Sequence, residues 1–253
     1  MRRGFVLFLA ALVLVAAAVV ALAPASLLGG ILESSSNGKV TATAFEGTIW
    51  RGQAQIVAGD ARVPLGWSLA SWPLLTGEVR LDLAPNAAAS RALRGELRAT
   101  RDHLAATGVD ITLPAAAIAA LLPRGSGARP AWALAGDITV TTPSLDWTPA
   151  SMRGDFSVDW RGAALLPTGM RPIVLGDVTA KLAGDGTRLA GPVSSRGGDL
   201  DVSGNVALAA TGAATVSLLL TPRNADAELA RALGAIGTVE GSGWRINWQG
   251  KAR

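Results

Sequence analysis

The sequence predicts an all-β protein: an antiparallel, curved meander sheet or a sandwich of about ten or more strands, with one or two short helices and one N-terminal transmembrane helix. Two observations predict this fold. An uncharged apolar run lies close to residue 1, and after residue 38 the hydrophobic pattern has a period of two. We therefore expect an anchor at 1–30, a polar linker at 31–39 and one exported β-domain at 40–253.

The N-terminal run extends from Phe5 to Ala23, nineteen residues without a charge. A helix of this length crosses a hydrocarbon core of roughly 30 Å. Arg2 and Arg3 precede the run, whereas the first positive charge after it is Lys39. The positive-inside bias therefore keeps the N-terminus in the cytoplasm and carries the rest of the chain across the membrane.

A cleaved signal peptide is the competing interpretation, because small residues at 21–25 suit a cleavage site. The apolar core of such a peptide usually spans about 7 to 15 residues, which favours the uncleaved anchor. Both interpretations export the β-domain. The polar sequence at 34–38 (SSSNG) is typical of a linker that leads away from the membrane.

The strand pattern is clearest at 77–83 (GEVRLDL), where Val79, Leu81 and Leu83 alternate with charged residues, as in a half-buried strand. Its opening phrase, a glycine before an acid or asparagine and then an apolar residue, recurs along the chain. We expect each of these glycines at a strand entrance, where a turn or bulge requires positive φ. They are Gly77, Gly95, Gly136, Gly154, Gly176 and Gly204. Glycines at 184–186 and 241–243 predict hairpin turns.

Helix signals are few. Pro114 and Pro123 bracket a predicted helix at 115–122, and Asn224 or Asp226 caps a second one at 227–233. The segment 87–94 is predicted as a loop or a single turn. Two short helices cannot cover so wide an apolar sheet, so the sheet must curl, close, pack against a second sheet or leave a groove.

The charge of the chain does not indicate a nucleic-acid partner. A net charge of +4 accompanies a pI of 10.5 only because the chain has no Tyr, no Cys and three Lys, so little titrates above neutral pH. No run of basic residues appears. The absence of cysteine excludes disulfides and thiolate chemistry.

No motif predicts an enzyme, a cofactor or a metal site. His103 is the only histidine, and its polar neighbours indicate an exposed loop. Asp199 and Asp201 have the spacing of a solvated strand face, which is a commoner arrangement than a paired-carboxylate site. An enzyme would need a pocket of converging polar groups, and no pattern in the sequence predicts one.

The tryptophans are spread along the predicted strands. Their expected role is core packing, with each indole N–H bonded to a backbone acceptor. A tryptophan near the linker could instead lie at the membrane interface. They are Trp50, Trp67, Trp72, Trp132, Trp147, Trp160, Trp244 and Trp248.

The hexapeptide at 47–52 (GTIWRG) resembles the signature of GspN, the protein N family of bacterial type II secretion systems. The match rests on Gly47, Thr48, Trp50 and Gly52. The following phrases, at 65–69 (LGWSL) and 74–79 (LLTGEV), resemble the next family segment through Trp67 and Gly77. These phrases cover about residues 45 to 83, with weaker similarity to about residue 125.

The resemblance implies an accessory inner-membrane component whose periplasmic domain contacts other secretion subunits, and it implies no catalytic residue. The motif positions are expected to be structural. The glycine-marked strands also resemble those of AsmA- and TamB-type envelope proteins. That resemblance implies an alternative, a periplasmic lipid-binding or lipid-transfer module with an apolar groove in a curved sheet.

Overall fold

The protein was analysed as a computed structural model, which describes residues 22–59, 61–84, 93–121, 132–167, 171–224, 226–234 and 237–251. These residues form one 14-stranded antiparallel sheet. Each strand from β1 to β12 pairs with its neighbour in the chain, and β14 then pairs between β12 and β13. The sheet is therefore an open meander with β1 and β13 at its edges.

The first seven strands are β1 (Val40–Gly47), β2 (Arg51–Ala58), β3 (Ala61–Leu69), β4 (Val79–Ala84), β5 (Leu93–Ala99), β6 (Leu104–Pro114) and β7 (Trp132–Thr148). The remaining strands are β8 (Ser151–Pro167), β9 (Ile173–Gly184), β10 (Arg188–Arg196), β11 (Leu200–Ala209), β12 (Ala213–Pro222), β13 (Thr238–Glu240) and β14 (Gly243–Lys251). The helices are α1 (Leu27–Ser35), α2 (Ser71–Leu74), α3 (Ala115–Leu121) and α4 (Ala227–Gly234).

The predicted all-β class, the antiparallel meander and the large number of strands are confirmed. The sandwich alternative is wrong, because the strands form a single sheet. Among the described residues, no helix has the length and apolarity needed to span a membrane. Most of the predicted anchor, residues 1–21, lies outside the described residues.

The prediction that the six phrase glycines stand at strand entrances is wrong for five of them. Gly204 lies in the middle of β11, within a regular register. Gly95, Gly136, Gly154 and Gly176 lie inside strands, have positive φ, and coincide with or face shifts in strand register. Each bulge shifts the alternation without ending the strand, so shorter predicted strands merge into β7 and β8, of 17 residues each. The predicted turns at 184–186 and 241–243 are confirmed as the β9–β10 and β13–β14 connections.

Two helices occur where the sequence predicts them. The helix α3 follows Pro114, and Asp226 caps α4 by accepting hydrogen bonds from the N–H groups of Glu228 (2.8 Å) and Leu229 (3.1 Å). The predicted loop at 87–94 differs at its end, since Leu93 and Arg94 begin β5, while residues 87–92 lie outside the described residues.

The helix α1 crosses the predicted boundary between anchor and linker at residue 30. Leu28 packs on the sheet next to Trp67, and Leu32 packs on Val40 and Ile56. The Ser36 hydroxyl contacts the backbone of both Glu33 (3.2 Å) and Val40 (3.1 Å), which ties the end of α1 to β1. This part of the predicted linker is therefore a packed helix and turn.

The sheet has one apolar and one polar face. On the apolar face, α1 and α3 cover the first strands and α4 covers part of β9, β11 and β12. The β1–β2 and β3–β4 connections lie at the same end of the first strands, and residues 22–25 lie there too. We call this the entry end.

Candidate functional site

The β1–β2 connection at the entry end depends on two glycines that face each other across the hairpin. Gly47 and Gly52 are paired, and Gly47 has φ +86°. A Cβ at Gly47 would lie 2.4 Å from the Arg51 carbonyl oxygen, and one at Gly52 would lie 2.7 Å from both the Glu46 carbonyl oxygen and Trp67 Cζ2. Only glycine therefore lets the two strands and the indole ring approach so closely.

Trp67 closes this hairpin from β3. Its ring is buried, and its indole N–H donates a hydrogen bond to the Ile49 carbonyl at 3.1 Å. Within the turn, the N–H groups of Thr48 and Arg51 bond to the Arg51 carbonyl (2.9 Å) and the Thr48 hydroxyl (3.3 Å). The half-buried Trp50 accepts a backbone hydrogen bond from Leu69 at 2.6 Å.

The same turn binds the backbone that follows the apolar N-terminal run. The Ile49 N–H donates to the Ala23 carbonyl at 3.0 Å, and the Ala25 N–H donates to the Gly47 carbonyl at 3.2 Å. The Ala25 side chain is fully buried against Ala54 and Trp67. The hexapeptide thus positions the point at which the chain joins the sheet.

Gly77 belongs to the β3–β4 connection at the same end. It has φ +80°, its N–H bonds to the Leu74 carbonyl (3.1 Å), and the Glu78 N–H bonds to the Pro73 carbonyl (3.0 Å). This is the Schellman pattern that ends a helix in a left-handed residue. The structure therefore brings Gly47, Thr48, Trp50, Gly52 and Trp67 into one cluster and places Gly77 in the adjacent connection.

A groove lies on the apolar face between the regions covered by helices. It has a volume of about 540 Å³ and its lining is entirely apolar. Trp147 borders it and donates its indole N–H to the Ala210 carbonyl at 3.1 Å. The groove is lined by Leu104, Leu145, Trp147, Met152, Phe156, Val158, Ala180, Leu182, Leu189, Val193, Val206, Leu208 and Leu218. Its chemistry suits hydrocarbon rather than a polar ligand.

The sequence predicts that an apolar face exists but does not locate this groove. The alternation identifies which side chains share a face of the sheet. Whether a helix covers them depends on where α1, α3 and α4 pack, and that packing is tertiary. The alternation alone could have placed Phe156 and Val158 on the apolar face. Leu104 and Leu218 could not have been assigned to the groove without the strand order.

The polar face carries ion pairs both within a strand and between neighbouring strands. The guanidinium of Arg98 lies 2.6 Å from the carboxylate of Glu96, and Arg80 lies 3.7 Å from the same carboxylate. The hydrogen bond from Arg98 lowers the pKa of Glu96 and raises that of Arg98. These groups are solvated and each has an opposite charge nearby, so the arrangement is that of a stabilised sheet surface.

A shallow cleft of about 270 Å³ on this face is lined partly by charged residues, among them Asp159, Arg161, Asp177 and Arg196. The Asp159 carboxylate accepts a hydrogen bond from the Thr179 hydroxyl at 3.0 Å, and Asp177 accepts one from the Gly162 N–H, also at 3.0 Å. Both carboxylates therefore satisfy polar groups of the sheet itself.

The other candidate chemical groups are dispersed. His103 Nε2 lies 2.8 Å from Asp146 Oδ2 at the surface. Asp199 accepts a hydrogen bond from the Val174 N–H (3.2 Å), while Asp201 pairs with Arg223 (3.3 Å). In the described part of the chain, no group of three or more His, Cys, Asp or Glu residues has the arrangement of a metal site.

The comparisons agree with the motif geometry. The family model for type II secretion system (T2SS) protein N matches residues 38–247. That range contains the hexapeptide, Trp67 and Gly77, and it extends through nearly all of the sheet. No curated protein and no solved structure matches the chain. The match covers most of the sequence, and the chain therefore belongs to the type II secretion system protein N family.

Proposed function

We propose that this type II secretion component is an accessory subunit of the inner membrane, anchored by the apolar run of 5–23 and acting in the periplasm through protein–protein contacts. The family membership carries the proposal. The apolar run at 5–23, with arginines only on its N-terminal side, supports the anchor and its orientation. The proposal includes no catalytic step.

The free edge of β14 is the surface best suited to a protein contact. β13 pairs with β14 only at residues 243–245, so the outer edge of 246–251 has no neighbouring strand within the described residues. The edge of β1 is less regular, because a bulge interrupts it between Thr43 and Glu46. A partner strand added to β14 would extend both the hydrogen-bond ladder and the two faces of the sheet.

A clean deletion tests the proposed role under conditions in which secretion is required. We expect folded substrates to accumulate in the periplasm, because the machine exports folded proteins from that compartment. Normal secretion would contradict the proposal. Measuring substrate in the medium and in the periplasm separates a secretion defect from poor expression.

The edge can be tested by complementation with Gln249→Pro and its matched control Gln249→Ala. The two-residue turn at 241–242 makes Glu240 and Gly243 the closing pair, so alternate residues from 243 direct their N–H groups outward. Proline at 249 removes one outward donor while keeping the pairing with β12. We expect only the proline variant to lower secretion, and equal activity of the two would exclude strand addition at this position.

The groove favours a second candidate function, the binding of a lipid. Its lining is apolar throughout, and its volume of about 540 Å³ is in the range of small-molecule sites. Native mass spectrometry of the detergent-purified full chain, after incubation with phosphatidylethanolamine and phosphatidylglycerol, tests this function. A retained lipid of defined stoichiometry would support it, and a chain that releases all lipid with its detergent would exclude it.

A further inference from the structure

The β3–β4 connection presents two large apolar side chains to solvent. Trp72 and Leu75 are 79% and 77% exposed, among the highest values for large hydrophobic residues in the described part of the chain. They stand three residues apart around α2, so they lie on the same side of one helical turn. Adjacent exposed apolar side chains form a surface of the kind found at protein and membrane interaction sites.

The backbone holds this pair in a defined position. The Thr76 hydroxyl donates a hydrogen bond to the Pro73 carbonyl at 2.8 Å, and the Schellman bonds of Gly77 and Glu78 end the turn. The Ala70 N–H bonds to the Arg80 carbonyl at 3.0 Å and closes the base of the connection. Trp72 and Leu75 are thus displayed on an ordered support, which lowers the entropy cost of binding.

The position of this connection indicates which surface covers the two exposed side chains. The Leu69 N–H bonds to the Trp50 carbonyl, and the neighbouring Ile49 N–H bonds to the Ala23 carbonyl. The exposed pair therefore lies at the entry end, close to the residue at which the apolar run of 5–23 ends. Leu22, the first described residue, is also exposed there, at 74%.

The composition of the connection suits a lipid interface. Residues 71–77 contain no charged side chain, and the flanking Glu78 lies 3.1 Å from Arg80, which partly neutralises it. Insertion would therefore bury apolar surface without desolvating an isolated charge. Tryptophan prefers the headgroup region, where its ring is buried and its N–H stays hydrated.

We propose that Trp72 and Leu75 insert into the periplasmic leaflet of the inner membrane beside residue 22 and hold the entry end of the sheet against the lipid surface. This inference rests on the membrane anchor of the proposed function. The sheet then has two membrane contacts, one through the chain itself and one through this loop. With two contacts, the sheet cannot rotate freely about its anchor.

The chain contains no cysteine, so a single introduced cysteine can carry a nitroxide label. We would compare Leu75→Cys with Val239→Cys, because Val239 is 72% exposed and lies in β13, the edge strand ten positions from β4 in the sheet order. The labelled full chain is reconstituted into vesicles of three parts phosphatidylethanolamine to one part phosphatidylglycerol. Collisions of the nitroxide with oxygen indicate that the label lies in lipid, and its collisions with a water-soluble nickel chelate indicate that it lies in solvent.

We expect the ratio of oxygen to nickel accessibility to be several-fold higher at position 75 than at 239. Equal ratios in a chain that resists alkaline carbonate extraction would overturn this inference and leave the anchor intact. A label that is immobilised at 75 and shielded from both reagents would also overturn it, because a protein would then cover the loop. Extraction of the chain by carbonate would refute the anchor and, with it, the inference.

Discussion

The indole ring of Trp67 lies so close to Gly52 that a methyl group added to Gly52 would stand 2.7 Å from Cζ2 of the ring. The same indole donates to the Ile49 carbonyl, and the Ile49 N–H donates to the Ala23 carbonyl. The family hexapeptide is thus one packed unit that joins β1, β2 and β3 to the end of the apolar N-terminal run.

Gly52→Ala should destabilise the domain, because the new methyl group also meets the Glu46 carbonyl oxygen at 2.7 Å. Overpacking of this kind costs about 1–3 kcal/mol. The control is Gly30→Ala in α1, where a Cβ meets nothing within 4 Å and alanine favours the helix. Urea unfolding of the two variants should shift in opposite directions, and a shift of Gly30→Ala alone would show that the hairpin relaxes around alanine.

Trp67→Phe isolates the hydrogen bond from the packing of the ring. Phenylalanine fills most of the space but cannot donate to Ile49, so we expect a loss of about 1 kcal/mol. Trp67→Ala also removes the buried ring and should cost about 3–5 kcal/mol. Equilibrium unfolding measures both. A phenylalanine variant as unstable as the alanine variant would contradict this order and would show that a single ring does not replace the packing of the indole.

Local chemistry predicts local structure well in this chain. Asp226 is one of two residues predicted to cap α4, and its carboxylate makes that cap. The predicted indole bonds to backbone acceptors are confirmed for Trp67, Trp147 and Trp160. Among the described residues, the bond is absent for the buried indole N–H of Trp244, and the predicted core position is wrong for Trp72 and Trp248, which are exposed. In each confirmed case the side chain and its need for a partner can be seen from the sequence alone, even when the partner is far along the chain.

The predictions from sequence fail at positions where tertiary packing determines the structure. The composition of 34–38 is that of a linker, yet residues 34 and 35 end α1, which packs on the sheet. Leu32 of this helix packs against a buried cluster that includes Ala117, a contact that no short sequence window contains. Gly136 and Gly154 look like strand entrances, but each has a backbone carbonyl of the paired strand within 2.5 Å of its would-be Cβ. Alternation cannot distinguish a bulge inside a long strand from a turn between two short ones.

The turn between β9 and β10 should make stability depend on pH. Asp185 accepts hydrogen bonds from the N–H and hydroxyl of Thr187, both at 2.8 Å, and from the Arg188 N–H at 3.0 Å. These bonds favour the carboxylate and lower the pKa of Asp185 to about 2. The unfolded chain binds this proton near its ordinary pKa of about 3.9. The stabilisation is therefore present above about pH 4 and is lost as the pH falls towards 2.

Asp185→Asn tests this dependence, because the amide cannot ionise. We expect the variant to unfold at lower urea concentration than the parent between pH 5 and 7, with the difference shrinking as the pH approaches 2. The comparison cancels the titration of all other carboxylates. A difference that stayed constant from pH 7 to pH 2 would contradict this expectation. It would show that the variant is less stable because asparagine disturbs the turn, and not because the negative charge is lost.

Phe156 and Ser157 provide a matched pair for testing the groove, since adjacent residues of β8 point to opposite faces of the sheet. Phe156 lines the groove and pairs with Leu182, whereas Ser157 pairs with Lys181 on the polar face. Phe156→Gln places an amide in the apolar lining, where an acyl chain offers it no hydrogen-bond partner. We therefore expect lipid retained in native mass spectrometry to fall several-fold for Phe156→Gln and to stay unchanged for Ser157→Gln. Thermal unfolding must show that both variants remain folded. Equal retention by the two folded variants would place any bound lipid outside this groove.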